Sequence, residues 1–322
     1  MILPNPQLAV SLASQIKQKQ IAAGVYLLER YSDFTQVQLF KTSSLAKSAM
    51  EKLKNTDSRP NGHVSAFIYS LSKHIGNSSV SQIEELIAQF LSKFTELPIS
   101  SNICLEASQV ENTLSVFGNE LTDKIISGAS RSELVGMSNK VSLALGILQK
   151  NCPDLYSETC AMVSNIVPFN SEVLNAGSSW NTFGSIFLRV LNEKETWTAA
   201  YEHIVHESAH HFIFCLSTID PIVLNPEKLI HSPFRGVDRP ILAVFHALFV
   251  LFRIQYAIGK LSEADIFFES TASYMYDRKN SMRIDSLICT KNLSESRNLT
   301  ILGEKIVGDI DKWIRSSKPL TI

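Results

Sequence analysis

The sequence predicts a mainly α-helical protein with a small β-sheet, an α+β fold whose amino-terminal half is helical. Apolar residues recur at helical spacing through roughly the first half of the chain. Short β-branched and aromatic runs appear only after about residue 160, and a long segment without Gly or Pro follows them. With 322 residues, 45% of them hydrophobic and 19% charged, the chain is long and apolar enough to bury a large core.

The first half of the chain is predicted to be a series of amphipathic helices. Apolar residues from Ile83 to Leu91 follow helical spacing, and turn residues such as the run from Asn55 to Gly62 separate the helical segments. No motif with recognisable chemistry lies in this half. We therefore expect a helical, peptide-holding region over residues 1–160 and a metal-binding catalytic region over residues 161–322, either as two domains or as one continuous domain.

The pattern changes in the second half, where two strands are predicted at residues 165–169 and 184–190. A long helix is then predicted from Thr196 or Thr198, because the segment WTAAYEHIVHESAHHFIFCLS keeps an apolar stripe and contains no helix breaker. This helix carries the pattern HExxH. A strand followed by an HExxH helix is a zincin-like arrangement.

Further helices are predicted after a loop rich in Pro and Asn. Asp238 is a start signal for an apolar helix that covers residues 241–258, and another helix is predicted from near Ser262. A last amphipathic helix is predicted over residues 295–315. The apolar helix contains Arg253 near its middle, which would be costly in lipid, so we interpret it as a core helix rather than a membrane span.

Charge and cysteine usage exclude several functional classes. The formal net charge of −1 and the dispersed Lys and Arg residues argue against nucleic acid or a membrane surface as partner. The five cysteines are odd in number and form no CxxC pair, which favours idle thiols in a reducing compartment. The amino terminus has no secretory pattern, so a cytoplasmic location is expected.

The HESAH segment predicts a metal site. His206 and His210 are four positions apart on the predicted helix, so their imidazoles lie one turn apart on one face and can chelate a single ion. Glu207 lies between them and can reach a water or substrate group on the metal, as an acid–base group or a hydrogen-bonding partner. The alternative is a helix of hydrogen-bonded histidines without a metal.

Two histidines alone would hold a metal weakly, so a third ligand is expected. His246 is the favoured candidate because an unpaired imidazole on an apolar helix is costly. Glu269 is the next candidate, since its position is similar to the downstream glutamate of many zinc peptidases, and Glu227 and His231 follow. The extended pattern with a third histidine six residues after the second is absent, because that position is Leu216.

Arg235 and Arg239 lie in the loop that precedes the His246 helix. If that helix presents His246 to the metal, both guanidinium groups lie close enough to bind a carboxylate in a fork geometry. An anionic cosubstrate is therefore predicted, with a surface ion pair to Asp238 or another acid as the alternative for each arginine. Arg253, seven positions after His246 and on the same face, has the same two interpretations.

The region around the HExxH motif resembles a known protein family. The run HIVHESAHHFIFCLSTIDP, followed by SPFRGVDRPILAVFHALFVLFRI, resembles the HExxH-motif peptide-modification proteins of ribosomally synthesised peptide natural product pathways. The resemblance covers about residues 200–258. The pairing of HExxH with a downstream S-P-x-R-x-x-x-R-P-x-x-x-x-x-H block is more specific than HExxH alone.

The resemblance implies an iron(II) and α-ketoglutarate dependent oxygenase, which uses O2 to hydroxylate a β-carbon of a ribosomally made precursor peptide. In that interpretation His206, His210 and His246 match the metal ligands, and Arg235 and Arg239 match the two arginines of the loop, for which we infer binding of the distal carboxylate of α-ketoglutarate. A zinc metallopeptidase with Glu207 as general base is the main alternative. A non-catalytic peptide-binding or scaffold protein is the third.

Overall fold

The structure is a computed structural model. It describes the backbone of residues 2–35, 40–55, 59–75, 77, 79–93, 104–105, 110–121, 126–264 and 269–317. Within those ranges, the side chains of residues 33–35, 40–43, 93, 104–105, 110–112 and 269–275 are not described.

The protein is mainly α-helical with a small β-sheet, as the sequence predicts. The α-helices are α1 (Pro6–Thr35), α2 (Phe40–Lys54), α3 (Gly62–His74), α4 (Val80–Lys93), α5 (Val110–Asn119), α6 (Arg131–Asn151), α7 (Pro153–Met162), α8 (Trp197–Ser217), α9 (Ile241–Glu263), α10 (Glu269–Glu295) and α11 (Ile301–Ser316). The strands are β1 (Cys104–Leu105), β2 (Ser127–Gly128), β3 (Asn165–Asn170), β4 (Ala176–Ser178), β5 (Ser185–Arg189), β6 (Leu229–Ser232) and β7 (Val237–Pro240).

The chain forms two compact units, and both are discontinuous in sequence. The first unit comprises residues 1–6, 142–158 and 197–322, and the second comprises residues 7–141 and 159–196. The units therefore do not follow a single boundary at residue 160. The predicted division of labour between a peptide-holding half and a catalytic half stays a prediction.

The second unit contains the larger sheet. Its strand order is β1-β3-β5-β4, with β2 also paired to β3. Strands β3 and β5 are parallel, with Ile166 opposite Ile186, and both strands are buried along almost their whole length. Continuous burial explains why both segments are continuous apolar runs without alternation. The two strands predicted from the sequence are confirmed.

A helical core completes the second unit. Helices α2, α3 and α4 surround a cluster of buried apolar side chains in which the rings of Phe67 and Phe90 stack with centroids 4.0 Å apart. Helix α3 begins where the Asn61 side chain accepts a hydrogen bond from the His63 backbone N–H. His63 and His74 both form hydrogen bonds in this unit, to the Thr113 hydroxyl and to the Ser70 carbonyl oxygen.

The first unit is built on helices α8, α9, α10 and α11. Helix α8 begins at Trp197, as predicted, and packs against α9, where the rings of Phe212 and Phe249 lie parallel with centroids 5.7 Å apart. Helix α9 is long and apolar enough to cross a membrane, but 67% of its most apolar window is buried inside the protein. This burial agrees with the predicted core helix of a soluble protein.

Three predicted boundaries in this unit are wrong. The segment before α9 is not a plain loop, since β6 and β7 form an antiparallel hairpin whose turn places Gly236 in the left-handed region at φ +65°. Asp238 lies in β7, so the residue that precedes α9 is Pro240. Helix α9 also continues through Gly259 to Glu263, so Ser262 lies within α9, and the next helix that the structure describes begins at Glu269.

The carboxyl-terminal helix also starts later than predicted. Residues up to Glu295 belong to α10, and α11 begins at Ile301. The start is set by Thr300, whose hydroxyl accepts a hydrogen bond from the Gly303 backbone N–H at 3.1 Å. The sequence pattern of apolar residues was correct, but it could not distinguish the end of one helix from the start of the next.

Candidate metal centre

Helix α8 presents His206 and His210 side by side. The two residues are one turn apart, and their ring centroids are separated by 5.1 Å. The opposite side of α8 is apolar and packs into the core of the first unit, where Phe212 is fully buried. Packing of the apolar side therefore turns the HExxH histidines toward the same space, as the helical spacing predicts.

Helix α9 brings His246 to the same pair. The His246 ring centroid lies 5.7 Å from that of His210, and Phe214 borders both rings. The Nε2 atom of His246 is buried and has no hydrogen-bond partner. A buried nitrogen without a partner costs free energy, which is commonly recovered when a ligand or an ion binds.

The spacing of the three rings can be compared with that of a metal site. Two imidazoles that bind one ion at a metal–nitrogen distance of about 2.1 Å have ring centroids roughly 4.6–5.2 Å apart. The His206–His210 separation of 5.1 Å fits this range, whereas the His210–His246 separation of 5.7 Å exceeds it. Within the part of the chain that the structure describes, no group of three or more His, Cys, Asp or Glu side chains is positioned to hold a metal as it stands.

Desolvation favours the neutral form of all three imidazoles at pH 7, and 38% of the His206 side-chain surface stays exposed. Desolvation lowers the pKa of His206 to about 3, with smaller contributions from the neighbouring His210, His203 and Arg278. Desolvation also lowers the pKa of His210 to about 4 and the pKa of His246 to about 3. The neutral imidazole is the form that donates a lone pair to a metal, so the electrostatics of the cluster suit a ligand role.

Glu207 is placed differently from the two histidines that flank it. Its side chain is buried, and its Oε1 atom lies 3.9 Å from the Nε2 atom of His206. Glu207 is not among the residues that line the cavity described below. This 3.9 Å separation is too long for a hydrogen bond, so Glu207 is a neighbour of His206 that does not line the cavity.

A cavity of about 510 Å³ adjoins the histidines. It lies within the first unit, and its walls come from α8, α9, α10 and the β6–β7 hairpin. The lining residues are His206, His210, Ser232, Phe234, Arg235, Arg239, Ala243, His246, Ala247, Val250, Leu251, Arg278, Met282 and Asp285. A volume of this size accommodates a small dicarboxylate together with a side chain of a second substrate.

Arg235 and Arg239 both line this cavity from the hairpin. Both residues are exposed, and neither guanidinium group forms an ion pair or hydrogen bond with the residues that the structure describes. The predicted alternative partner, Asp238, instead has its Oδ1 atom 3.6 Å from the Nδ1 atom of His231. Both arginines therefore present positive charge to the cavity and to solvent.

Among the candidate third ligands, His246 is the one that the structure places at the cavity together with His206 and His210. His231 and Glu227 are exposed on the hairpin and the preceding segment, and neither lines the cavity. Glu269 begins α10, but its side chain lies outside the described residues. The choice of His246 as third ligand stays a prediction.

Sequence reasoning missed the contribution of α10. Arg278, Met282 and Asp285 line the cavity from one face of this helix, at spacings of four and three residues. The Arg278 guanidinium donates two hydrogen bonds to Glu202 Oε1, of 2.7 and 3.1 Å. Burial raises the pKa of Asp285, and the positive charge of Arg278 opposes that shift. The spacing was visible in the sequence, but nothing there indicated that this face meets the histidines.

The structure assigns Arg253 a structural role. The residue is fully buried, and its Nη2 atom lies 3.1 and 3.2 Å from the two carboxylate oxygens of Glu158. Its guanidinium group also stacks over the rings of Phe212 and Phe249. Of the two sequence interpretations, the ion pair with an acid is the one observed, although the pair is in the core rather than on the surface.

No protein-family model and no curated protein matches the chain.

Proposed function

We propose that the protein is an iron(II) and α-ketoglutarate dependent oxygenase that hydroxylates a β-carbon of a residue in a ribosomally made precursor peptide in the cytoplasm. The observation that carries the proposal is the composition of one cavity, which is lined by the neutral imidazoles of His206, His210 and His246 together with Arg235 and Arg239. Imidazole donors combined with two cationic groups suit a metal and a chelating anionic cosubstrate.

The three histidines would hold the metal. His206 and His210 already have the ring separation of a chelating pair, and a turn of the His246 side chain would bring the third nitrogen closer. The orphaned Nε2 atom of His246 favours that turn, because coordination would satisfy it. Iron bound in this position supplies the redox chemistry that couples decarboxylation of α-ketoglutarate, to succinate and CO2, with insertion of one oxygen atom of O2 into a C–H bond.

The remaining groups would position the reactants. Arg235 and Arg239 would bind the distal carboxylate of α-ketoglutarate in a fork geometry, since both face the cavity and neither has a competing acidic partner among the described residues. Glu207 would stabilise the orientation of His206 through its carboxylate. The apolar lining residues Ala247, Val250 and Leu251 would keep water away from the reacting carbon.

A zinc metallopeptidase is the alternative that the HExxH pattern favours. In that mechanism Glu207 would have to act as general base on a water in the cavity. The absence of Glu207 from the cavity lining argues against that role. This observation favours the oxygenase over the peptidase.

The first experiment measures metal binding and cosubstrate turnover. Full-length protein loaded with Fe(II) under nitrogen is mixed with α-ketoglutarate and air, and succinate is quantified by mass spectrometry. Succinate formation, together with the mass of one added oxygen on a cytoplasmic precursor peptide, is the expected result. Absence of succinate with every peptide tried, despite one bound iron per chain, would contradict the oxygenase.

Variants of the cavity wall separate the candidates further. Arg239→Ala should raise the KM for α-ketoglutarate by about ten-fold or more, because one charge-assisted bond of the fork is lost. Arg315→Ala, on an exposed surface of α11, is the matched control and should leave the KM unchanged. Zinc-dependent peptide cleavage that disappears in Glu207→Gln would support the peptidase. A protein that binds peptide with no stoichiometric metal would support a scaffold.

A further inference from the structure

The cavity has two charged ends with the histidines between them. At one end the β6–β7 hairpin contributes Arg235 and Arg239, and at the other end α10 contributes Arg278 and Asp285. The proposed function uses the hairpin end and the histidines. It leaves the α10 end, and its single cavity-lining carboxylate, without a role.

Contacts along α9 fix the position of the α10 end. The rings of His210 and His246 are neighbours, and the Tyr201 hydroxyl donates a hydrogen bond to the Ala257 carbonyl at 3.4 Å. These two contacts show that α8 and α9 run antiparallel. By the same spacing, His206 lies opposite Leu251. Asp285 is adjacent to Ser286, whose hydroxyl accepts a hydrogen bond from Gln255. Gln255 lies four residues beyond Leu251, so Asp285 is about 6 Å further along α9 than His206.

Among the described residues, the α10 end combines the Arg278 guanidinium with the carboxylates of Glu202 and Asp285. The Arg278 guanidinium is bound to Glu202 through two hydrogen bonds, so these two charges balance. The Asp285 carboxylate forms no hydrogen bond or ion pair with the described residues, although Arg278 is near enough to influence its pKa. Asp285 is half-buried and lines the cavity, so a carboxylate without a hydrogen-bond partner among the described residues is accessible there to a ligand.

We propose that Asp285 is a specificity-determining residue, whose carboxylate binds an ammonium or guanidinium group on a Lys or Arg side chain of the substrate peptide. This inference rests on the proposed function, because it names the residue with which the same site would bind the substrate peptide. The charge pattern supports it, because an anionic cosubstrate at the hairpin end and a cationic peptide group at the α10 end each meet the opposite charge.

The distances limit where the cationic residue lies in the peptide. An extended peptide advances about 3.3–3.6 Å per residue, and a lysine side chain spans a further several ångströms. Along the axis of α9, Asp285 lies about 6 Å beyond His206. A Lys or Arg one or two residues away from the modified residue of the peptide could therefore reach Asp285. Recognition at this distance would place the β-carbon beside the metal while Asp285 holds the adjacent side chain.

A role for Asp285 as a metal ligand is the competing interpretation. Its displacement of about 6 Å along α9 from the level of His206 argues against it. The experiment below includes iron affinity so that this interpretation is tested with the proposal.

The experiment selects peptides by charge. Full-length protein is used to enrich a random peptide display library under nitrogen, once with Fe(II) and α-ketoglutarate and once without metal, and selected peptides are then synthesised with a fluorescent label for affinity measurement. Asp285→Asn removes the charge and Asp285→Lys reverses it. Asp277→Asn is the matched control, since Asp277 is exposed on the same helix and does not line the cavity.

The expected result is enrichment of Lys or Arg by the wild-type protein and by Asp277→Asn. Affinity for the cationic peptides should fall about ten-fold in Asp285→Asn, as expected for loss of one charge-assisted hydrogen bond. Asp285→Lys should select Asp or Glu instead. This reversal distinguishes a lost charge contact from a general loss of folding.

Three results would overturn the proposal. They are a wild-type selection without cationic residues, an unchanged cationic preference in Asp285→Asn, and a fall in iron affinity in Asp285→Asn without a change in peptide preference. Succinate formation is measured in parallel on the wild-type protein. A cationic preference without succinate would support the peptide-binding role of Asp285 while the oxygenase proposal fails, and succinate without the preference would do the reverse.

Discussion

His246 and Arg253 lie seven residues apart on the same apolar helix, α9, in contrasting surroundings. Arg253 is fully buried, and Glu158 neutralises its charge from within the core. His246 lies at the wall of an open cavity, stays neutral because burial lowers its pKa to about 3, and has a ring nitrogen without a partner. Both are polar residues on an otherwise hydrophobic helix, but only one of them is enclosed.

The difference shows how to separate structural from functional polar groups. A buried charge is tolerated when an opposite charge enters the core with it, and such a pair leaves no room for a ligand. A neutral donor that faces a cavity keeps its lone pair available, and its cost is recovered only when something binds. Arg253 and His246 should therefore respond to substitution in opposite ways, Arg253 through stability and His246 through binding.

The largest expected effect concerns the buried pair. Glu158→Gln should lower the free energy of unfolding by about 3–5 kcal/mol, because it leaves the Arg253 charge in the core without a counter-charge. Urea unfolding measures this loss. Iron affinity of the folded variant should not change, and Glu263→Gln, which affects an exposed pair with Lys260, should leave stability nearly unchanged. A metal-binding defect in folded Glu158→Gln would break the distinction.

The next effect concerns the HExxH pair. His206→Ala should weaken binding of Fe(II) by about 100-fold, since a chelating pair becomes a single imidazole, which corresponds to about 2.7 kcal/mol. Anaerobic titration followed by metal analysis measures the change. His231→Ala is the control, because His231 is exposed on the hairpin and does not line the cavity. Equal losses in both variants would mean that the metal is bound at the hairpin instead.

A smaller effect with two opposite signs is expected at His246. His246→Leu should weaken Fe(II) binding by about ten-fold and should stabilise the metal-free protein by about 1–2 kcal/mol, because a buried nitrogen without a partner is removed. Metal titration and urea unfolding of the same preparation measure both changes. A variant that binds iron normally would assign the third position to another residue, with Glu269 as the first to test.

The smallest expected effect is a pH dependence of the metal-free protein. The pKa values of His206, His210 and His246 lie at about 3 to 4, below the ordinary value of about 6.5, so between these values the unfolded chain binds more protons than the folded one. Stability should therefore be fully present above pH 6.5 and fall as the pH is lowered toward 4. Thermal unfolding at pH 7.5 and 5.5 measures the trend.

A double variant tests whether the cluster is the source of that trend. His206→Ala combined with His210→Ala should reduce the fall in melting temperature between pH 7.5 and 5.5. His211, which is fully buried and has its pKa lowered to about 4, remains in this variant and should preserve part of the dependence. An unchanged pH dependence would show that other buried groups dominate it.

The elements that the sequence determined are those with a local signal. The helical pattern of α8 and the single-turn spacing of His206 and His210 follow from periodicity within one segment. The buried strands β3 and β5 follow from continuous apolar runs, which are also local. The helical signal is local because backbone hydrogen bonds in a helix connect residues that are four positions apart, so a short stretch of sequence contains the whole pattern. His246, Arg235 and Arg239 were candidates from the residue pattern, the family resemblance over residues 200–258 implies roles for them, and all three line one cavity.

Only the tertiary structure decided the features that depend on which faces meet. The hairpin of β6 and β7, the enclosure of Arg253 by Glu158, and the arrival of Arg278 and Asp285 at the cavity each require contact between segments that are far apart in sequence. The amino-acid pattern fixes which side of a helix is polar, but packing of apolar surface fixes what that side faces. Apolar residues surround both Arg253 and His246 on α9. The neighbouring sequence therefore does not reveal that one side chain lies in a core ion pair and the other lines a cavity.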